Sequence, residues 1–89
     1  MVKCVGYQYK QGIFEDDKGK SIPYDNILIH YVSDNNKDVA GLEAQCLKLK
    51  RSDFLAICDV SAEFLIDREL ILSYNPVGGK LVLTKIEVI

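Results

Sequence analysis

Apolar and polar residues alternate with a period of two along most of this chain, the pattern of strands rather than helices. The densest such run is Tyr24–Val32, with Ile27, Ile29 and Tyr31 on one face and Leu28, His30 and Val32 on the other. Bulky residues on both faces predict a central strand rather than a solvated edge, and the place of His30 between two apolar neighbours reads as a core histidine. Pro23 opens this strand, where a missing N–H does least harm. Asp17-Lys18-Gly19 ahead of it is a turn, because glycine takes positive φ at little steric cost. Val2–Phe14 reads as the first strand. Val5, Tyr7, Tyr9, Gln11 and Ile13 share one face, which assigns Tyr7 and Tyr9 to the core; Cys4, Gly6, Gln8, Lys10, Gly12 and Phe14 share the other. Its two internal glycines predict a bulge or a strong bend.

Ser33–Asp38 is a loop by composition, and Ala40–Lys50 reads as a third strand that places Lys48 and Lys50 on one face. The period then changes. Phe54, Leu55, Ile57 and Cys58 recur at helical spacing after Ser52, a candidate N-cap, and Ser61 offers a second cap. Ser52–Ile66 is therefore expected to form one or two short helical pieces whose Phe54, Leu55, Phe64 and Leu65 plug an open end of the fold. Glu69–Tyr74 and Lys80–Ile89 are strands joined by Asn75-Pro76-Val77-Gly78-Gly79, where every residue but Val77 is a turn former. Five strands with a helical insert between the third and fourth predict a mainly β protein: one domain, residues 1–89, arranged as a five-stranded OB-like barrel.

The length of 89 residues limits the core, so self-association would add stability. Hydrophobic residues make up 48% of the chain and charged residues 27%, which excludes a disordered tail. No apolar run reaches the roughly 20 residues needed to cross a membrane, and no signal peptide is recognisable in Met1–Tyr9. The expected location is the cytoplasm, or the host cytoplasm if the chain is phage-encoded. Cys4, Cys46 and Cys58 lack metal-site spacing and read as reduced, buried thiols. No metal, cofactor or small-molecule substrate is expected. Neither is enzymatic activity, since no nucleophile–base set and no phosphate-binding glycine motif is present.

A net charge of −2 opposes diffuse affinity for phosphates. The charges are segregated, however. Basic residues gather at Lys18/Lys20, at Lys48/Lys50/Arg51 and at Lys80/Lys85, and acids at Asp34–Asp38 and Asp53–Glu69.

Two blocks carry a resemblance. Gly19-Lys20, Pro23-Tyr24 and Tyr31-Val32 form a Gly-Lys, Pro-Tyr entry into a strand that ends Tyr-Val. Tyr74, Val77-Gly78 and Leu83-Thr84-Lys85-Ile86-Glu87-Val88 form a late hairpin with an aromatic ahead of its turn. In these blocks and in length the chain resembles the filamentous-phage gene V family of single-stranded-DNA-binding proteins. It differs in the inserted Ser21-Ile22 and in an acidic first loop where the family is rich in arginine. The resemblance implies an OB-like homodimer that coats single-stranded DNA during phage or plasmid replication.

Binding a single strand without sequence readout needs cations along the backbone and rings on which bases stack. The stacking candidates are Tyr24, Tyr31 and Tyr74. The phosphate candidates are Lys18, Lys20, Lys48, Lys50, Arg51 and Lys80. All are expected on one concave wall, and the Tyr74–Lys80 hairpin is the expected dimerisation arm. The alternative reading is a protein-interaction module or accessory factor of a phage or mobile element, which suits the acidic charge and the scarcity of arginine.

Overall fold

The computed structural model describes Met1–Ile89. β1 (Val2–Glu15), β2 (Ser21–Ser33) and β3 (Glu43–Lys50) form an antiparallel sheet in the order β1-β2-β3, so the densest apolar run is indeed the central strand. A seven-residue helix, α1 (Arg51–Ile57), and a 3-10 turn at Ala62–Leu65 follow. β4 (Leu70–Val77) and β5 (Lys80–Val88) then form a second, two-stranded antiparallel sheet. No helix is long and apolar enough to cross a membrane.

Local chemistry sets the turns. Gly19 has φ +74° in the β1–β2 turn, and the Asp16 carboxylate accepts the backbone N–H groups of Lys18 (2.9 Å) and Lys20 (2.8 Å). Gly78 and Gly79, at φ +57° and +81°, make a two-residue hairpin turn of the kind that needs positive φ at both central positions. Paired glycines therefore let the ladder run to Val77–Lys80, and the five-residue loop expected at Asn75–Gly79 shrinks to two residues. Pro76 is tolerated because β4 has a ladder partner on one side only. The third strand begins at Glu43, three residues later than expected, since Gly41 turns at φ +85°. The helix follows β3 without a loop: Lys50, in extended conformation, occupies the cap position expected for Ser52 and makes no side-chain cap bond.

The first-strand glycines do accompany a bulge. The β1–β2 register slips between Cys4 and Gly6, leaving Val5 as the extra residue. The slip moves Cys4 onto the face of Tyr7, Ile27 and Ile29, contrary to simple alternation, and Cys4 is fully buried there. Nine residues make the core: Cys4, Ile27 and Ile29 of the first sheet, Phe54, Cys58, Ala62 and Leu65 of the helical connection, and Leu70 and Ile86 of the second sheet. Half of the expected plug is thus correct. Leu55 and Phe64 instead point outward, 68% and 61% exposed. Tyr7 packs against the core while Tyr9 is exposed. His30, on the uncovered face of β2, is exposed rather than a core residue. The cysteines are free, and Cys46 is exposed whereas Cys4 and Cys58 are buried.

The protein is mainly β as expected, but its five strands form two separate sheets and do not close into a barrel. β3 pairs only with β2, and β5 pairs as a strand only with β4. The sheets are tied through the segment between β3 and β4: it bridges β1 at Lys3–Glu69 and β5 at Cys58–Ile86, and exchanges backbone bonds with β1 from Cys4 N–H to Arg68 O and from Asp67 N–H to Cys4 O. The reason lies in chain path. After Lys50 the backbone turns at once into α1, so β3 does not curl round to meet β5, and Phe54 fills the wedge between the sheets instead.

Candidate nucleic-acid interface

One face of the three-stranded sheet buries the core, and the helical connection leaves the other uncovered. Alternation and register set out that outer face. Lys10 of β1 pairs with Asn26 of β2, which pairs with Lys50 of β3; in the next row outward-facing Leu28 lies between Gln8 and Lys48. Neighbouring strands lie about 4.8 Å apart, so Lys10 and Lys50 start roughly 10 Å from each other across Asn26. None of the ion pairs in the structure involves Lys10, Lys48 or Lys50. These ammonium groups are free to meet an anion.

Two rings complete the surface. Tyr24 pairs with Gly12, and its ring lies over the glycine: a Cβ on Gly12 would come within 2.5 Å of the Tyr24 hydroxyl oxygen. Phe14 lies beside it, ring centroids 6.2 Å apart and planes tilted by 43°. Phe14, Ile22, Pro23, Tyr24, Lys48 and Lys50 line a hollow of about 760 Å³. A smaller hollow of about 290 Å³ shares Phe14, Tyr24 and Lys48 with it and extends to Lys10. The arrangement is an open groove with flat apolar walls and a row of cations. Gly12→Ala should swing the Tyr24 ring aside, because the atoms in the way are the free end of a side chain. The expected outcome is weaker oligo-dT binding with an unchanged melting temperature; unaltered affinity would show that the ring's position over Gly12 is irrelevant.

The nine residues picked from the sequence do not share one wall. Tyr24, Lys48 and Lys50 come together. Lys18 and Lys20 sit on the β1–β2 turn, beyond the Phe14–Ile22 end of the groove, among Glu15, Asp16 and Asp17. Arg51 does not line the groove but borders it: its guanidinium lies 4.9 Å from the Tyr9 ring centroid and 3.9 Å from a carboxylate oxygen of Asp25, an acid that does line the groove and that Arg51 partly neutralises. Lys80 lies at the tip of the other sheet. Tyr31 and Tyr74 line a separate hollow of about 420 Å³ that also contains Glu43 and Gln45. Burial, and the nearness of Tyr74 and Glu43, push the Tyr31 hydroxyl above its ordinary pKa.

Sequence reasoning missed Lys10 and Phe14 as site residues. The signal was present, since both share the even-numbered face of β1 with Gly12. A tight turn at Gly19 pairs that face with Tyr24.

Comparison with protein-family models, with curated proteins and with solved structures finds no match for this chain.

Proposed function

We propose that this protein binds single-stranded DNA without sequence readout, through the outer face of the three-stranded sheet. The observation that carries the reading is the joining of two rings, Phe14 and Tyr24, with three unpaired lysines, Lys10, Lys48 and Lys50, in one open groove. Rings stack bases and ammonium groups follow the phosphates, the two requirements of strand binding. Local segregation of charge lets this work at a net charge of −2. On this reading the protein is a non-enzymatic coating factor of phage or plasmid replication, acting in the cytoplasm, and its two sheets are an opened variant of the OB arrangement. The resemblance to the gene V family supports the replication context.

Fluorescence titration with oligo-dT at several salt concentrations tests the reading. Three lysines at about −0.7 each give an expected slope of about −2 in log affinity against log salt. A salt-independent affinity would remove the electrostatic contribution, and no binding at low salt would leave the protein-interaction reading in its place.

A homodimer belongs to the same proposal. The accessible surface is 6434 Å² for 10.0 kDa, whereas a compact monomer of this mass exposes about 5,200 Å². The radius of gyration, 15.0 Å, also exceeds the roughly 12 Å of a compact chain of this length. An ordinary interface covers about 800 Å² per partner, within the excess. Val77, Leu81 and Val82 near the tip of the β4–β5 hairpin are exposed and apolar, which makes this arm the proposed contact. Sedimentation at micromolar protein is expected to give a dimer, and Leu81→Lys a monomer with unchanged secondary structure. A monomeric wild type would remove this part of the proposal.

A further inference from the structure

The hollow holding Tyr31 and Tyr74 lies away from the lysine groove and has different chemistry. At its polar end is Glu43. One carboxylate oxygen accepts the Gln45 side-chain N–H at 2.6 Å, and the other accepts the Asn36 side-chain N–H at 2.8 Å. The Tyr31 hydroxyl in turn donates to the Gln45 side-chain oxygen. These neutral donors fix the plane of the carboxylate without cancelling its charge, and no cation pairs with it. The nearby Asp34, by contrast, is held by the Met1 ammonium at 2.7 Å. The hydrogen bonds donated by the Gln45 and Asn36 side chains hold the Glu43 carboxyl below its usual pKa, so it is ionised at neutral pH.

A carboxylate has about four lone-pair positions, and here two are used, one on each oxygen. The remaining pair suits two parallel N–H donors from one planar group. Two tyrosines, Tyr31 and Tyr74, line the same hollow, and aromatic rings are favourable neighbours for a planar cation. Two ligand classes present paired in-plane donors: an arginine guanidinium and a guanine base. Charge separates them. An unneutralised carboxylate attracts the guanidinium and repels the phosphates that accompany guanine in nucleotides and nucleic acid. A lysine ammonium supplies charge but neither the plane nor the fork.

We propose that the Tyr31–Glu43–Tyr74 hollow is a docking site for an arginine side chain presented by a partner protein. A partner protein, rather than free arginine, is the source because the hollow of about 420 Å³ is open to solvent. Small ligands are held by burying most of their surface, which this shape does not do. A side chain carried on another polypeptide needs only its tip enclosed. The site stands independently of the strand-binding groove.

The test is an NMR titration of the full chain with Nα-acetylarginine amide, with Nα-acetyllysine amide and with GMP as comparison probes. Because the isolated side chain lacks the partner's surrounding contacts, progressive shifts confined to Tyr31, Glu43 and Tyr74 at millimolar probe are expected with the arginine probe, and shifts at least about fivefold smaller with the lysine probe. Glu43→Gln should abolish the response while leaving the remaining spectrum and the oligo-dT affinity unchanged. An absent response, equal binding of the arginine and lysine probes, or tighter binding of GMP would each overturn the proposal. Loss of a dimer on Glu43→Gln would also overturn it, by assigning the hollow to a second copy of this chain.

Discussion

Phe54→Ala is expected to lower the unfolding free energy by about 3–5 kcal/mol, the usual cost of emptying a buried aromatic site. Phe54 is 2% exposed and is the largest of the fully buried side chains. It comes from α1 and sits in a core that also takes residues from both sheets. Few hydrogen bonds join those sheets, so this ring does much of the joining. A domain of this length has roughly 4–13 kcal/mol of stability in total. The substitution therefore removes roughly a quarter or more of it, and urea denaturation followed by circular dichroism should show a large fall in midpoint. Phe54→Leu, which keeps most of the volume, should cost under about 1.5 kcal/mol. A loss below about 1 kcal/mol for the alanine variant would mean that the wedge between the sheets collapses without penalty, contrary to the packing described.

Tyr24→Ala should weaken oligo-dT binding by about 1–3 kcal/mol, roughly 5- to 150-fold, if one base stacks on this ring. Little stability should be lost, because the ring lies on the uncovered face over a glycine. Tyr74→Ala is the internal control: its hollow holds a carboxylate and no lysine, so affinity should change by less than about twofold. Fluorescence anisotropy at fixed salt distinguishes the variants. Equal losses for both would return Tyr74 to the strand path, and an unaffected Tyr24→Ala would remove the groove from the proposed function.

The contrast between these tyrosines shows how much the residue pattern alone conveys. Tyr24 and Tyr31 are seven positions apart in one strand, an odd number, so alternation sends them to opposite faces. Chemical type suggested grouping them, and parity forbade it. Lys10 and Phe14 are the converse case, residues of unlike type that parity places beside Lys48, Lys50 and Tyr24. The cysteines teach the same lesson about range. Composition suggested three buried thiols, yet Cys46 faces out beside Lys48 because nothing from the second sheet covers that side of β3.

The residue order by itself determined the five strands, the helical insert and the turns at Gly19 and Gly78-Gly79, because each depends on side-chain periodicity or on a backbone angle within a few neighbours. It also assigned faces along each strand wherever no bulge intervened. Tertiary structure alone decided that the ladder stays open, that Val5 is the bulged residue, and that one face of the first sheet is covered while the other forms a groove. Those outcomes turn on contacts between residues far apart in the chain, such as Phe54 between the sheets and Cys4 against Arg68 and Asp67. Local preference carries no information about such contacts.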